Sequence, residues 1–486
     1  MNFSKKIFYF LVLLTSFSFN SFAQNYNDAF RLSEPGIFLG ARALGMGNAF
    51  SAIGNDFSAV LFNPAGLGLI KKAELIGGFN LNSFDNKTNF FNNTRSGAID
   101  QNLKLGEFGV VIPVPTIQGS FVVALVFNQP KIFNSIVSFN GFNPNNNSYI
   151  QDLTDFNDDI AFKLALSYPL YDSKNNYLRD TTRIKGKLNQ RGTYQQNGFL
   201  NNWNAAGAIE VEKDIFVGAT ISIYSGEFNK TKDYYEEDVN NNYPSSLLLD
   251  PIEPTSADFK SFYLSDKLIW DISGYGFNIG GLIKLNEIIN IAANIKFAKN
   301  FTVKESYVVD AESLFGNNNR FTFPRAVDIK SEYEIRTPAE YTLALASHNG
   351  NLELGASVTI IDYRSAKFKS GFSTSSIQNK NADIYDLFRP TYNLNVGVEY
   401  KIPSSKVTVR GGIMVLQSPF KDDTIEYDKK FLTVGIGYRL TNKFTVDGAF
   451  AYGWWKDFGD NYGSGLSRTY QDIKNQNFIF SIKYNY

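Results

Sequence analysis

The chain has 486 residues, with 47 Lys+Arg against 47 Asp+Glu, and it contains no cysteine and a single histidine. Balanced charge gives no electrostatic footprint for nucleic acid, the missing cysteines exclude a disulfide scaffold, and with one histidine there is no zinc constellation. The 44 Phe and 27 Tyr stand among abundant Asn and Gly, a mixture that favours strands and turns over helices.

At the start, Lys5 and Lys6 precede an apolar stretch from Ile7 to Phe17, with small residues at Ser21 and Ala23. This layout is that of a secretory signal, so residues 1–23 are predicted to be removed on export. The apolar run is shorter than the roughly 20 residues a membrane-spanning helix needs. No later stretch approaches about 18 uninterrupted apolar residues, so the mature chain either is soluble or crosses a membrane as strands.

Residues 24–72 contain "GARALGMGNAFSAIGNDFSAVLFNPAGLGLI", Gly40 to Ile70, which is glycine-rich, nearly uncharged and too apolar for a solvated linker. Its glycines allow close backbone approach in a crowded interior.

From Ala73 to the C-terminus the sequence repeats segments of about ten residues with alternating character, the signature of transmembrane strands. In the last one Phe478, Phe480, Ile482, Tyr484 and Tyr486 share one face, while Ser481, Lys483 and Asn485 share the other. About fourteen such segments are predicted, beginning near Ala73, Leu103, Gly119, Asn202, Ile215, Ile269, Ile289, Ser331, Asn351, Tyr392, Lys406, Lys429, Lys443 and Ile473. Links from even to odd segments are tight, as in "EKD" at Glu212 and "TNK" at Thr441; "HNGN" at His348 suits a type I′ turn. Links from odd to even segments are long and polar, the largest running from Lys131 to Leu200. Short turns at one end and long loops at the other are the pattern of an outer-membrane barrel. The fold expected is therefore an all-β, 14-stranded antiparallel transmembrane β-barrel, residues 73–486, plugged by an N-terminal hatch, residues 24–72.

The plug follows from width. About eight strands can be filled by side chains and sixteen to eighteen leave an aqueous channel, so about fourteen leave a lumen that residues 24–72 must close. Leu44, Met46, Phe50, Val60, Leu61 and Phe62 would make that interior attractive to apolar ligands. Pro64 fixes its own φ and pushes Asn63 out of the α region, giving a stiff bend whose amide can latch to the wall, or else an ordinary turn. Arg42 is the one basic residue between Gly40 and Ile70: a candidate partner for a ligand carboxylate, or a salt bridge to Asp56 or to a lumen carboxylate.

Catalysis finds no support. A Ser-His or Asp-His hydrolase needs a placed histidine, and His348 falls in a tight turn. The acidic runs Asp152 to Asp159 and Tyr234 to Asp238 lack the central glycine of a calcium loop and read as solvated loop charge. No phosphate loop and no other cofactor or metal motif is found.

The stretch "GARALGMGNAFSAIGNDFSAVLFNPAGL", with Asn63, Pro64 and Ala65, resembles the hatch of the FadL-type outer-membrane transporters of long-chain fatty acids and aromatic hydrocarbons. Further similarity lies in "PVPTIQGSFVVAL" at Pro113, "RTPAEYTLALA" at Arg336, "IDYRSAKF" at Ile361 and "RGGIMVLQSP" at Arg410. The resemblance implies a fourteen-stranded plugged barrel in the outer membrane, surrounded by lipid and lipopolysaccharide. It also implies passive uptake of a hydrophobic small molecule, released by movement of a hatch at Asn63, Pro64 and Ala65 toward a lateral opening beside a kinked third strand, Gly119 to Pro130. Because the family also includes PorV-type barrels of a secretion system, a role in binding or shuttling a secreted protein is the alternative.

Overall fold

A computed structural model describes residues 25–37, 40–100, 103–154, 159–323, 329–462 and 465–486. The expected export signal lies outside these residues. The chain forms a closed antiparallel barrel of fourteen strands. In chain order they are β1 (Glu74–Phe90), β2 (Asn93–Asp100 and Lys104–Val114), β3 (Phe121–Ile132 and Ser135–Phe142), β4 (Asn189–Glu212), β5 (Ile215–Glu237), β6 (Ser261–Lys284) and β7 (Ile289–Lys296 and Asn300–Leu314). There follow β8 (Ile329–Arg336 and Glu340–Asn349), β9 (Leu352–Asp362 and Lys367–Ser370), β10 (Pro390–Lys401), β11 (Val407–Leu416), β12 (Lys429–Arg439), β13 (Phe444–Asp460) and β14 (Arg468–Asn485). The last strand pairs with the first, from Glu74↔Asn485 to Asn89↔Tyr470, which closes the sheet into a barrel.

The barrel is apolar outside and polar inside. On β10, Tyr392, Leu394, Val396 and Val398 are exposed while Thr391, Asn393 and Glu399 are buried. On β1, Leu75, Phe79 and Leu81 are exposed while Asn80 and Asn82 are buried. A continuous exposed apolar belt of this extent is untenable in water but matches a bilayer core, with period-two alternation placing each Asn in the lumen. Among the described residues no helix is long and apolar enough to cross a membrane.

Strand starts agree with the sequence pattern except where strands run beyond the bilayer. β2 begins at Asn93 rather than near Leu103, β4 at Asn189 rather than near Asn202, β6 at Ser261 rather than near Ile269 and β14 at Arg468 rather than near Ile473. The longest of these are β4 and β6. These strands are 24 residues long, against the roughly 9–11 that a tilted crossing needs. The outer half of β4 is polar on both faces, and that of β6 turns Phe262, Leu264 and Leu268 inward, so the lipid-facing alternation fades before the ladder does. Residues 131–142 and 189–200, read from sequence as loop, are consequently largely strand. The turn after β8 also differs from expectation. Asn349 pairs with Leu352, and of the two central residues only Gly350 has positive φ, at 62°, which fits a II′ turn better than I′.

The rest of the long insert closes the outer mouth. Two short helices, Tyr149–Asp152 and Asp159–Lys163, pack Ile150, Ile160 and Leu164 against Tyr234, Phe262 and Leu264 on the projecting parts of β5 and β6. Glu236, inside the acidic run expected to be solvated, is instead buried: it accepts hydrogen bonds from the Tyr149 main chain (2.8 Å), the Gln190 amide (2.8 Å) and the Tyr234 hydroxyl (2.9 Å). Residues 155–158 of the other acidic run are outside the described residues.

Candidate functional site: plug, seam and ion-pair anchor

The described residues of the segment, 25–37 and 40–72, form three helices against the inside of the wall, α1 (Tyr26–Ser33), α2 (Ala41–Gly45) and α3 (Ala59–Phe62), followed by a 3-10 helix, Pro64–Leu69. Asn25 starts α1 by a capping box with Asp28, and Pro64 starts the 3-10 helix, where its missing N-H costs nothing. Part of the plug's polar contact with the wall is made through its main chain. Thr220 Oγ1 donates to the Val60 carbonyl (3.0 Å), the Asn290 amide to the Ala52 carbonyl (3.1 Å) and Thr433 Oγ1 to the Gly45 carbonyl (3.3 Å). The lumen-facing Asn and Thr of the wall thus satisfy the carbonyls of the plug's irregular backbone.

Close approach depends on glycines of the wall. A Cβ placed at Gly218, Gly280, Gly355, Gly397 or Gly412 would come within 1.8 to 2.4 Å of a plug atom. At Gly280 that atom is Asn63 Oδ1, and at Gly218 it is the Pro64 main chain. Asn63 is fully buried: its Nδ2 donates to the carbonyls of Ser51 (3.0 Å) and Gly281 (3.1 Å), and its Oδ1 accepts from Ala65 N (3.1 Å). The Asn63-Pro64-Ala65 bend therefore sits in the notch between β5 and β6.

The apolar residues singled out in the sequence fall in packed cores. Met46, Phe50, Val60 and Phe62 join Val111, Val122, Phe216 and Leu282 of the wall in one cluster, and Leu44 joins Met414, Phe431, Ala449 and Ile479 in another. Of these five plug residues, Val60 also borders a cavity. That cavity lies between α1, the plug and β3 to β7, beside Leu32, Pro130, Asn202, Tyr224 and Phe301, and it holds about 80 Å³. This is room for a few waters and no hydrocarbon tail, so the path is shut in this conformation.

Arg42 is directed at carboxylates of the wall. Its Nε and Nη2 grip Glu399 as a fork (2.8 and 3.0 Å), Nη2 also reaches Glu353 (3.0 Å), and Nη1 reaches Asp56 (3.2 Å) and Asn55. Burial alone would lower its pKa, but the carboxylates of Glu399, Asp56 and Glu353 raise it well above the ordinary arginine value. Of the two roles open to Arg42 in the sequence, the geometry is that of the salt bridge. Glu399 is shared with Arg410 (2.6 Å), which also pairs with Asp447 (2.6 Å).

The wall has a seam between β2 and β3. The β2–β3 ladder runs from Val114↔Phe121 to Glu107↔Asn128 and stops. On the other side β3 pairs with β4 at Asn128↔Asn202 and resumes at Lys131↔Leu200, so Gln129 and Pro130 face the single residue Asn201. This is a β-bulge, and Pro130 has no N-H to offer a neighbour. Above it the outer segment of β3 turns inward over β1, where the Asn86 amide donates to the Ile136 carbonyl (2.6 Å) and Thr88 to that of Ser138. The sequence showed Pro130 but not the break in the ladder beside it. The plug braces this seam: a Cβ on Gly36 would lie 2.5 Å from the Pro130 carbonyl oxygen, and Lys131 donates to the carbonyls of Arg31 and Glu34 (3.0 Å) while pairing with the Glu34 carboxylate (3.5 Å).

Sequence reasoning missed the aromatic chamber around α1. Phe30 packs on Tyr363, Phe388 and Phe420, and Arg31 lies over the rings of Phe228 (4.2 Å) and Trp270 (5.1 Å). It also missed Glu353 and Glu399, although each is a carboxylate on the lumen face of its strand, "LELGA" and "VGVEY", and asks for a cation.

A family profile described as "Outer membrane protein transport protein (OMPP1/FadL/TodX)" matches residues 28–486. The fold is similar to that of a Pseudomonas aeruginosa FadL homologue, at 16% identity with a TM-score of 0.53 over 93% of this chain and 98% of that one. It is similar also to the P. putida toluene transporter TodX, at 12% identity with a TM-score of 0.53 over 89% of this chain and 94% of that one. No curated protein sequence matches the chain. The chain belongs to the OMPP1/FadL/TodX family of outer-membrane transport proteins.

Proposed function

We propose that the protein carries hydrophobic small molecules, long-chain fatty acids or aromatic hydrocarbons, across the outer membrane by diffusion, with residues 24–72 as the gate. The observation that carries this reading is the pairing of a plug packed on apolar residues with a break in the β2–β3 ladder that the same plug braces. An apolar solute is excluded by the polar outer surface, and transfer of its chain from water into an aromatic-lined interior is favourable by about 0.8 kcal/mol per CH₂. The ligand enters beneath the lid, displaces α1 from the aromatic chamber, reaches the cavity beside Val60 and leaves through the seam when the plug moves. Asn63, Pro64 and Ala65 act as the latch; Leu44, Met46, Phe50, Val60 and Phe62 line the path only once the plug has shifted. Diffusion of this kind needs no catalytic residue, cofactor or metal.

In the protein-shuttle alternative a partner would bind the long insert, Lys131 to Leu200, and the loop Asn229 to Leu268. The insert's helices give Ile150, Ile160 and Leu164 to the barrel mouth while Leu170, Tyr171, Tyr177 and Leu178 of its hairpin stay exposed, so the transport reading is favoured by the plug and the seam and not by the insert. The test is flux into proteoliposomes. Uptake of labelled laurate or toluene without entry of a sugar of similar size is expected, and equal flux of sugar and hydrophobe would overturn the proposal.

A further inference from the structure

Below the plug, at the end of the short turns, a second pocket of about 210 Å³ opens between strands β10 to β14. Its inner wall is the Arg42–Glu399–Arg410–Asp447 network, and its mouth carries Lys401, Lys406, Arg439 and Lys483. Six basic side chains thus face two carboxylates, in a chain whose overall charge is balanced.

The two carboxylates are already spoken for. Glu399 is held by both arginines and Asp447 by Arg410. Lys401 turns to Glu353 (2.8 Å) and Lys483 to Glu74 (3.3 Å). Lys406 donates only to the Leu440 carbonyl (3.3 Å), and Arg439 makes no ion pair among the described residues. Yet the Arg439 main-chain N-H donates to the Lys406 carbonyl (2.9 Å), which sets these two cations side by side on neighbouring strand ends. Like charges opposed across strands destabilise each other unless an anion lies between them.

We propose that this pocket binds a small oxyanion, a carboxylate or a phosphate, at the periplasmic face, with Lys406 and Arg439 as the primary donors. A planar guanidinium beside a flexible ammonium suits either group, the arginine by a two-point contact and the lysine as a point charge. The volume admits a head group and not a folded partner. The carboxylate source is an acid that has passed the channel; the phosphate source is free phosphate or a lipid head group. The inference does not rest on the transport reading, since an anion site here is compatible with any cargo.

The test is calorimetric titration of the full chain in zwitterionic nanodiscs at low ionic strength, with butyrate and with inorganic phosphate as probes. Binding of at least one probe is expected, weakening with added salt. Charge reversal in the pair Lys406→Glu and Arg439→Glu should lower the affinity about tenfold or more. Lys213→Glu, on the turn between β4 and β5 across the rim, should leave it unchanged. A preference for butyrate assigns the site to a released acid, and a preference for phosphate assigns it to a phosphate group. If the reversed pair fails to assemble, Lys406→Gln with Arg439→Gln asks the same question, and a loss of affinity is again expected. The proposal is overturned if neither probe binds the unaltered protein, if the paired substitutions leave the affinity as it was, or if Lys213→Glu weakens binding as much as they do.

Discussion

The Asn63 side-chain amide donates to the main-chain carbonyl of Gly281 at 3.1 Å, joining the plug to β6 by a bond that no apolar side chain could replace. The same side chain holds Ser51 and Ala65 within the plug. Asn63→Ala removes all three bonds and leaves buried carbonyls unpaired, at about 1–3 kcal/mol for each unsatisfied group. Faster amide exchange across residues 50–70 and altered uptake of a long-chain acid are expected. Unchanged exchange and uptake would show that the bend is an ordinary turn.

Gly280 and Gly281 are neighbours with opposite tolerance. A Cβ on Gly280 would fall 1.8 Å from Asn63 Oδ1, whereas on Gly281 the nearest atom is 4.0 Å away. Gly280→Ala should therefore unseat the plug and make cells permeable to a small antibiotic that the unaltered barrel excludes. Gly281→Ala should be silent in the same growth assay. Equal permeability of the two variants would mean that the notch does not position the plug.

Glu34 gives the plug an acid-sensitive contact. Burial opposes its charge, but Lys429 and Lys131 outweigh burial and lower its pKa from 4.5 to about 2. A group whose pKa is lower in the folded state contributes stability above its unfolded pKa and loses it as the pH falls toward the folded one. Seating of the plug at β3 and β12 should thus be constant from pH 7 to about 5 and weaken between about 4.5 and 2. Protease sensitivity of residues 24–40 as a function of pH measures this. Glu34→Gln should flatten that dependence while weakening seating at pH 7.

The seam depends on one surplus residue in β3. Deleting Gln129 would let the Asn128↔Asn202 register run on without a bulge. The shortened strand should continue its ladder with β2, so that uptake of laurate falls while the barrel still migrates as a folded, heat-modifiable band. Uptake at the original rate would place the exit elsewhere.

Much of the fold was legible because lipid imposes a strict rule. Where a strand crosses the bilayer, as at Leu394, Val396 and Val398 of β10, every outward residue is apolar and the period of two is plain. Where β4 rises above it, both faces of Asn189 to Asn201 meet water or lid and the pattern vanishes, and where β6 does, the apolar residues change sides, as at Phe262 and Leu264, although hydrogen bonding continues in both. The plug was legible by its composition, since an uncharged glycine-rich stretch has to be buried somewhere. Its contacts were not, because Asn63 with Gly281 and Arg42 with Glu399 are joined by closure of the barrel over 218 and 357 residues of chain. The break in β3 escaped notice because a bulge is a mismatch between two strands, and a single strand carries no record of its partner's count.

Movement of the plug is the central claim, and a cross-link tests it most directly. The chain has no cysteine, so cysteines placed at Ala52 and Asn290, adjacent across a 3.1 Å hydrogen bond, give one defined bridge between plug and wall. Laurate or toluene flux into proteoliposomes would be measured with the bridge oxidised and again after reduction. Flux stopped by oxidation and restored by reduction is the expected result. Undiminished flux through barrels in which the bridge has fully formed would contradict a gate formed by residues 24–72.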